Sequence, residues 1–549
     1  RAYISAHGLI RAEIDGRRIG ADELVPGWTV YGERLIARTY DVTDLLTASG
    51  DGTGAHALGA QLADGWYRGR IGFDGGYRNL YGEDIAAVVQ LEVTHDDGSR
   101  SLIATDADWR AGVGEILFTD LYDGEKVDAR RAAPGWSRPG FDDSSWLPVE
   151  VGASDAERLV MPTDAPVRAV ETLRPVEVSV QERRVLPLGG GEAELSPERV
   201  LIDFGQNISG RLRIRVSGPA GRTITLRHAE VLDDGVLGMR TLREAQATDT
   251  YTLAGDGIEE WEPAFAIHGF RYADVTGWPG GAAAAKAAIE DGAVLAVVIH
   301  TQMERLGAFA CSDERVTRLH ENSRWSMRDN FVALPTDCPQ RDERLGWTGD
   351  IGVFAPTALS LYDAAAFLAS WTTDLAAAQT SDGAVPVVIP DVLGGTRLTC
   401  AWGDAIALVP WAVYEASGDA AVLAASVDAM VRFVDGVERA AGPSRLWRGG
   451  FQFGDWLDPD APPQVRGPGR GVHAVDEARH GLHRAGEDGG VAGGLEDGPR
   501  HERDRVAPRA GELRPAQHVG GDDRQGAVGA LRGGQVPRPG DEEGGGVVE

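Results

Sequence analysis

The hydrophobic pattern changes its period near residue 310, and this change limits the chain to strands first and helices afterwards. Before that point apolar residues alternate, as in "RLRIRV" (211–216). After the turn "SGPAGR" the alternation resumes in "TITLRH" (223–228), which predicts a hairpin with one buried face. The segments "VVQLEV" and "RSLIAT" (88–105) repeat this pattern. We therefore expect two antiparallel, jelly-roll-like β-sandwiches, at residues 1–165 and 166–300.

Beyond residue 310 apolar residues recur at intervals of three and four, which is the period of an α-helix. Ser312 is a suitable N-cap, and Asp313 and Glu314 place negative charge in the first turn. The predicted apolar stripe of this helix contains Val316, Leu319, Ser323, Met327 and Phe331. Further helices rich in Ala and Leu are predicted at 351–363, 365–379, 402–417 and 419–440. Residues 301–464 are therefore expected to be all-α.

Residues 465–549 use only ten amino acids: Val, Ala, Asp, Glu, Gly, Leu, Pro, His, Gln and Arg. These are the residues whose codons can begin with G or C, which is not a physicochemical grouping. In a gene rich in G and C, this pattern arises when the third codon position is read as the first, so we interpret it as a frameshift near residue 464. A biased, disordered segment is the alternative, but it does not explain the missing Ser, Thr and Lys. In either case the segment has few large apolar groups and is expected to be disordered.

Composition narrows the partners and the compartment. The net charge of −30 would repel a nucleic-acid backbone or an anionic membrane, so neither is expected as a partner. No apolar run reaches the roughly 20 residues that span a bilayer. The three scattered cysteines form no C-x-x-C pair, and no nucleotide or metal motif occurs, so we expect no cofactor, no metal and no disulfide framework. Free cysteines without a visible leader favour the cytoplasm, although the chain begins with Arg1 and its first domain is expected to start partway along.

The segment "PTDCPQRDERLGWTGD" (335–350) concentrates acids around arginines and a tryptophan. A solvated loop is one interpretation, since most charge-dense loops lie at the surface. A carbohydrate site is the other, because sugars stack on aromatic rings and their hydroxyls bind carboxylates and guanidinium groups. Two further Trp–Asp pairs favour the sugar site. The candidate residues are Asp337, Arg341, Glu343, Trp347 and Asp350, together with Trp402, Asp404, Asp455 and Trp456.

Three other features have weaker functional interpretations. The acidic segment "DLYDGEKVDAR" (120–130) could bind calcium or a sugar at a loop of the first sandwich, although acidic turns are common. His228 and His268 lie in or beside predicted strands, where a structural role is the better interpretation.

Several motifs together resemble bacterial α-L-rhamnosidases of glycoside hydrolase family 78. They are "LIDFGQNISGRLRIRVSGPAGRTITLRHAEVL", "ATDTYTL", "AIHGFRYADVTG", "PTDCPQRDERLGWTGD" and "FGDWLDP", and the resemblance extends to about residue 464. It implies a carbohydrate-binding-like sandwich, a second β-sandwich and, from about residue 306, the first helices of an (α/α)6 catalytic barrel. The implied reaction is hydrolysis of terminal α-L-rhamnosides with inversion, without a cofactor, on a rhamnose-containing glycoside.

The resemblance also implies roles for individual residues. Glu343 matches the general acid, and Asp337 and Asp350 match acids that bind the rhamnose hydroxyls and tune it. Arg341 and Trp347 match substrate-contacting positions. The sugar is also expected to contact Trp402, Asp455 and Trp456. Asp342 has no counterpart that can be assigned.

The family's general base is a glutamate on a later barrel helix, and no residue of this chain can be assigned to it. The barrel is expected to be incomplete, with apolar faces left in water, and the polypeptide as written is expected to be inactive. A non-catalytic carbohydrate-binding protein and an (α/α)6 glycosidase for another sugar are the alternative functions.

Overall fold

The computed structural model describes residues 1–47, 55–153, 155–181, 185–189, 192–195, 197–449 and 529–532. Strands dominate up to Thr301 and helices follow from Glu314, so the predicted change of structure near residue 310 is confirmed. The described residues form mainly antiparallel β regions followed by a helical region, as the sequence predicted; the strands Gly124–Asp128 and Thr248–Thr252 are a parallel pair.

The first β region contains two sheets whose inner faces share one core. One sheet has the strand order Arg38–Tyr40, Ala2–His7, Ala86–Thr94 and Arg100–Ala104. The other has the order Leu147–Pro148, Arg110–Val113, Gly529–Arg532, Leu58–Ala63, Leu9–Ile14 and Arg17–Arg18. Ile4 and Leu91 from one sheet meet Ile14 and Leu58 from the other, all nearly fully buried. The predicted hairpin at 88–105 is confirmed by the pairing of 86–94 with 100–104.

The strand Gly529–Arg532 corrects part of the expectation of a disordered segment after residue 464. It pairs with Leu58–Ala63 on one side and with Arg110–Val113 on the other, antiparallel to both. The physical reason is that strand addition uses backbone groups, which every sequence has, so a composition poor in large apolar residues does not prevent it. The rest of the segment, including residues 465–528 and 533–549, lies outside the described residues.

The second β region is a single ten-stranded sheet. The main path runs Ile116–Asp120, Gly124–Asp128, Thr248–Thr252, Thr223–Ala229, His268–Thr276, Arg199–Ser217, Val294–Thr301 and Val167–Leu173, and Glu177–Gln181 and Ile258–Trp261 also pair with Arg199–Ser217. Two of these strands, 116–120 and 124–128, lie before residue 165, so the sheet takes strands from both sides of the predicted domain boundary.

The predicted hairpin between 211–216 and 223–228 is wrong in its pairing. Both segments are strands, and the apolar faces of both are buried as predicted. However, the strand His268–Thr276 lies between the two longer strands that contain them, and it pairs with residues 200–210 of the first and 225–229 of the second. The segment 211–216 itself pairs with Val294–Thr301 and Ile258–Trp261. A turn of six residues is long enough to cross to the far side of that third strand, and the hydrophobic period of a strand contains no information on its partner.

Short elements connect these layers. They are the helices Thr43–Thr47, Gly65–Arg68 and Gly281–Glu290, the 3₁₀ turns Ala129–Arg131, Met239–Leu242 and Gly442–Ser444, and the two-stranded ribbons Leu35–Ile36 with Leu159–Val160, Val185–Gly189 with Glu192–Leu195, Leu232–Asp233 with Val236–Leu237, Phe331–Val332 with Leu334–Pro335, and Gly346–Trp347 with Val388–Ile389.

The helical region is close to the prediction. Its helices are Glu314–Asn330, Thr348–Leu361, Ala365–Ala377, Ala405–Ser417 and Ala420–Ala441. The N-cap of the first is Asp313 and not Ser312, because the Asp313 carboxylate accepts the Arg315 N–H at 2.9 Å. No helix among the described residues is long and apolar enough to cross a membrane.

Several apolar side chains on these helices are exposed. Val353 is 83 % exposed, Leu319 64 % and Leu408 48 %. Val316 and Leu319, which the helical period placed on a packed face, are therefore in solvent, while Met327 near the end of the same helix is buried. The side chains of this helix that hydrogen-bond to the ten-stranded sheet, Arg328 and Asp329, lie at its C-terminal end.

A buried ion pair connects the first β region to the helices. Asp374, on the helix Ala365–Ala377, accepts hydrogen bonds from Arg34 Nε and from the Val30 N–H, both at 2.9 Å. Arg34 Nη2 also donates to the Ser370 carbonyl at 2.8 Å. The side chains of Arg34 and Asp374 are 15 % and 3 % exposed, so each charge depends on its partner for solvation.

Replacing Asp374 by Ala should destabilise the protein strongly, because it leaves the Arg34 guanidinium buried without its counter-charge. We expect the free energy of unfolding to fall by about 3–5 kcal/mol, measured by urea denaturation. The matched control is Asp428→Ala at an exposed helical aspartate, for which the change should stay within about 0.5 kcal/mol. Equal effects of the two substitutions would contradict the role of the ion pair.

Candidate active site

The segment 335–350 is held against loops of the ten-stranded sheet by Arg344. This guanidinium is buried, and its Nη1 donates to the carbonyls of Leu121 and Ile267 at 2.5 and 2.7 Å. Next to it, the Tyr122 hydroxyl donates to the Glu343 carbonyl at 2.6 Å. These bonds satisfy buried polar groups on both partners, so the backbone around Glu343 has a fixed position. The solvated-loop interpretation of this segment is therefore wrong.

A close backbone approach fixes the other side of the segment. A side chain at Gly269, in the strand His268–Thr276, would lie only 2.7 Å from the Pro339 carbonyl carbon. Glycine is therefore required at this position of the motif "AIHGFRYADVTG" by packing between the sheet and the candidate site.

The carboxylate of Glu343 lies at the centre of the site, and the residue is only 6 % exposed. Its Oε2 accepts a hydrogen bond from Arg341 Nε at 2.7 Å and another from Arg243 Nη1 at 2.8 Å. Its Oε1 accepts from the Trp347 indole Nε1 at 3.0 Å. Three donors from different positions thus fix the orientation of one carboxyl group.

Asp337 lies beside this carboxylate and shares one of its arginines. Its Oδ2 accepts from Arg341 Nη2 at 3.0 Å, and its Oδ1 accepts from the Leu345 N–H at 3.2 Å. Burial, followed by the nearby charge of Glu343, raises the pKa of Asp337 to about 6, although Arg341 acts in the opposite direction. Asp337 is therefore a group that can hold a proton near neutral pH.

This raised pKa predicts a pH-dependent stability. Below about pH 4 the folded and unfolded chains both protonate Asp337, and no difference arises. As the pH rises from about 4 to 6, only the unfolded chain loses the proton, so the free energy of unfolding falls by roughly 3 kcal/mol in total. An Asp337→Asn variant should lack this decrease.

The measurement is urea denaturation of the wild type and Asp337→Asn between pH 4 and pH 7. The stability of the variant relative to the wild type should increase across this interval and become constant above about pH 6. A stability difference that is independent of pH would contradict the interpretation. Asp382→Asn, at an exposed acid outside the site, should show no such trend.

Asp350 and Trp402 lie close to the C-terminal end of the segment 335–350. Asp350 is in the first turn of the helix Thr348–Leu361, and loss of solvent around its carboxyl, followed by the charge of Glu343, raises its pKa, although the residue as a whole is exposed. Trp402 packs against the backbone of Gly349, where an added Cβ would lie 3.0 Å from the indole ring. The structure thus brings six predicted residues into one region: Asp337, Arg341, Glu343, Trp347, Asp350 and Trp402.

The remaining predicted residues cannot be placed in the same way. Asp455 and Trp456 lie outside the described residues, so their role stays a prediction. Asp404 accepts the Ala401 N–H at 2.8 Å, which is a local turn contact. Asp342 is buried, which raises its pKa, and its N–H donates to the Leu242 carbonyl at 3.4 Å.

Three residues of the site were not assigned from the sequence, and all three come from the β regions. They are Arg243 and Tyr122, which contact Glu343, and Phe73, whose ring stacks on Trp347 with centroids 6.5 Å apart. Each is at least 100 residues from its partner in the chain, so no local pattern could have indicated it. Tyr122 lies in the acidic segment 120–130, whereas Arg243, four residues before the motif "ATDTYTL", and Phe73 lie outside every motif noted in the sequence.

Two groups of possible metal ligands occur among the described residues, each with its ligand atoms within 4.8 Å of one another. In the group Asp337, Cys338 and Glu343, Arg341 already occupies the space between the carboxylates. In the other group, the stacked rings of His228 and His268 flank Asp249, and His268 Nε2 lies 3.1 Å from both carboxylate oxygens. His228 Nδ1 lies 2.9 Å from the Ala247 carbonyl oxygen, and both histidines are fully buried. Their structural role stays a prediction.

The acidic segment 120–130 is also structural in its contacts. Asp120 accepts the N–H groups of Tyr122 and Asp123 at 2.8 and 3.1 Å. Glu125 accepts the Ala264 and Phe265 N–H groups, each at 3.0 Å, and burial raises its pKa to about 7. Protein donors thus bind these carboxylates, and the calcium interpretation gains no support from their geometry.

Three family models match the chain in succession. They are described as the alpha-L-rhamnosidase N-terminal domain at residues 1–171, the bacterial alpha-L-rhamnosidase concanavalin-like domain at 193–300 and the bacterial alpha-L-rhamnosidase 6 hairpin glycosidase domain at 304–478. Together with the β regions, the helices and the acid–arginine–tryptophan site, these matches define the class: a multidomain protein built like the six-hairpin glycosidases. The chain belongs to the bacterial α-L-rhamnosidase family.

Curated relatives agree with this assignment. An alpha-L-rhamnosidase of Streptomyces avermitilis is 43 % identical over 495 residues, which are 89 % of this chain and 45 % of that protein. An alpha-L-rhamnosidase of Formosa agariphila is 34 % identical over 461 residues, or 84 % of this chain and 47 % of the relative. The chain thus spans about half the length of the curated relatives it matches.

Solved structures show the same fold. The native alpha-L-rhamnosidase of Aspergillus terreus matches with a TM-score of 0.79 at 40 % identity, covering 89 % of this chain and 55 % of that one. The Streptomyces avermitilis alpha-L-rhamnosidase complexed with L-rhamnose matches with a TM-score of 0.76 at 41 % identity, covering 89 % and 44 %.

Proposed function

We propose that this chain carries one of the two catalytic groups of an inverting glycoside hydrolase that releases terminal α-L-rhamnose from rhamnosides. This group is the general acid, Glu343. The observation that supports this most directly is the fixed Glu343 carboxyl, bound by Arg341 and Trp347 beside a second acid. Inversion requires the proton donor on one side of the scissile bond and a carboxylate that activates water on the other, roughly 6.5–9.5 Å away. Glu343 would supply the first of these groups.

The neighbouring residues have complementary roles in this proposal. Arg341 holds both Glu343 and Asp337, so it sets the distance between the two carboxyls. Asp337 and Asp350 would bind the sugar hydroxyls, since carboxylate oxygens accept them well, and would influence the proton of Glu343 through their charge. Trp402 would stack on the apolar face of the ring, and Asp455 and Trp456 would complete the cleft.

We further propose that the polypeptide as written does not turn over substrate. The composition of residues 465–549 supports this, because it is that of a shifted reading frame and not of barrel helices. The exposed Val353, Leu319 and Leu408 also fit a helical region without its full set of neighbours. In addition, the acids of the described site all come from the segment 337–350, on the side of the proposed general acid, and none of them is assigned as the base.

The substrate is tested with a version of the protein translated in the adjacent frame after residue 464. Hydrolysis of aryl α-L-rhamnosides, but not of the matching fucosides and glucosides, is the expected result. Proton NMR of the first sugar released should show the β-anomer, since inversion converts the α-configuration. Preference for another glycoside, or release of the α-anomer, would overturn the substrate or the mechanism respectively.

We also propose a reducing, cytoplasmic location, because Cys311 and Cys338 form no disulfide among the described residues. Fractionation of the native host with an antibody against this chain tests it, and recovery outside the cytoplasm would refute it.

A further inference from the structure

Arg243 reaches the candidate site from the second β region. It follows the 3₁₀ turn Met239–Leu242 and crosses to the helical region, where its Nη1 binds Glu343 Oε2 at 2.8 Å. Its side chain is 46 % exposed, whereas that of Glu343 is 7 % exposed. Arg243 therefore lies between the buried carboxyl and solvent.

The backbone of Arg243 is in a conformation that favours glycine. Its φ is 56° and its ψ is −115°, a combination that L-residues with a side chain rarely adopt. Backbone hydrogen bonds hold the chain on either side of Arg243. The Leu242 carbonyl accepts the Ala245 N–H at 3.1 Å, and the Ala247 N–H donates to the Tyr122 carbonyl at 3.0 Å. Glycine would adopt this backbone conformation with less strain than arginine. The presence of arginine therefore indicates that its side chain is needed for the contact with Glu343.

We propose that Arg243 is a positioning residue for Glu343: from the neighbouring β region it fixes one carboxylate oxygen and, by its charge, sets the pH range in which that carboxyl holds its proton. The inference deepens the proposed function and rests on it for the catalytic meaning of Glu343. Within its own segment, Arg341 is the residue that binds Oε2 of Glu343. Arg243 adds a second guanidinium on the same oxygen, and this one depends on the correct packing of the β region on the helices.

Several charged or titratable groups face Glu343, and the test must separate them. They are Asp337, Cys338 and Arg341 of the same segment, Asp350 of the next helix and Arg243 of the β region. Trp347 is a suitable reporter of the Glu343 carboxyl, because its indole N–H donates to Oε1, the oxygen that the two arginines do not bind.

The experiment is ¹⁹F NMR of the 549-residue chain labelled with 5-fluorotryptophan, titrated from pH 4 to pH 8. The chain has 14 tryptophans, so the Trp347 resonance is assigned by its loss in Trp347→Phe. The titration step that belongs to Glu343 is the one lost in Glu343→Gln. In Arg243→Gln the midpoint of this step should rise by about one pH unit, because an adjacent cation favours the charged carboxylate.

Matched variants separate charge from structure. Arg243→Lys should restore most of the wild-type midpoint, because it keeps the charge. Arg243→Gly should shift the midpoint as Arg243→Gln does, while its melting temperature stays equal to or above that of the wild type, because glycine suits this backbone. Arg240→Gln, three residues away on the exposed side of the turn, should leave the midpoint unchanged.

An unchanged midpoint in both Arg243→Gln and Arg243→Gly would overturn the proposal, and so would an equal shift in Arg240→Gln. The titration uses no substrate, so its result does not depend on turnover. If Glu343 proved not to be the general acid, the Arg243 effect on its carboxyl would remain measurable. A failure of the proposed function is therefore distinguishable from a failure of this inference.

Discussion

Restoring the reading frame after about codon 464 should convert an inert polypeptide into an active α-L-rhamnosidase. We expect no measurable hydrolysis of an aryl α-L-rhamnoside by the 549-residue chain. The frame-restored protein should turn over at a rate ordinary for enzymes, on the order of 1–1,000 per second. The physical reason is that Glu343, the proposed acid, would supply only one of the two groups that inversion needs; the other is a base that activates water from the opposite side.

The DNA provides an independent check of the same prediction. An insertion or deletion between codons 460 and 470, with a long open frame in the adjacent register, is the expected finding. The frame-restored protein carrying Glu343→Gln serves as the matched control, because it has the same length and the same helices. Wild-type-like turnover by the 549-residue chain would contradict the prediction, and so would an uninterrupted gene without an alternative frame.

The fold was predictable where local pattern decides it. The helix Ala405–Ser417, for example, lies almost where the sequence placed it, because its apolar residues contact neighbouring helices at the helical period. The pairing of the hairpin at 88–105 was predictable, but that of Arg199–Ser217 with its neighbours was not, because His268–Thr276 lies between this strand and Thr223–Ala229, the next strand in the chain. The strand Gly529–Arg532 shows the same limit: backbone hydrogen bonding selected its position, and its side-chain composition gave no indication.

The candidate site follows the same rule. Asp337, Arg341, Glu343 and Trp347 are close in the sequence, and a shared arginine and an indole hydrogen bond bring their side chains together. Arg243, in contrast, belongs to the second β region, and only the packing of that region on the helices brings it to Glu343. Contacts within one segment can be predicted from spacing and residue chemistry, whereas contacts between regions require the tertiary structure.

The substitution Glu343→Gln should remove the proton donor while retaining much of the shape of the site. In the frame-restored enzyme we expect kcat/KM for rhamnosides with poor leaving groups to fall by about 100- to 10,000-fold. Glutamine can still accept the Trp347 N–H and is nearly isosteric, so substrate binding should change little. Rhamnosides whose leaving groups depart without protonation should be affected far less.

The dependence on the leaving group distinguishes an acid from a residue that only binds the sugar. A lost proton donor makes log kcat fall more steeply as the leaving-group pKa rises, because the alkoxide must then depart without assistance. A lost binding contact lowers the rate for all leaving groups alike. Asp342→Asn is the matched control, since this adjacent carboxyl makes none of the contacts that hold Glu343, and it should keep the wild-type dependence. A uniform loss in Glu343→Gln would reassign Glu343 to substrate binding, and full activity would exclude it from the reaction altogether.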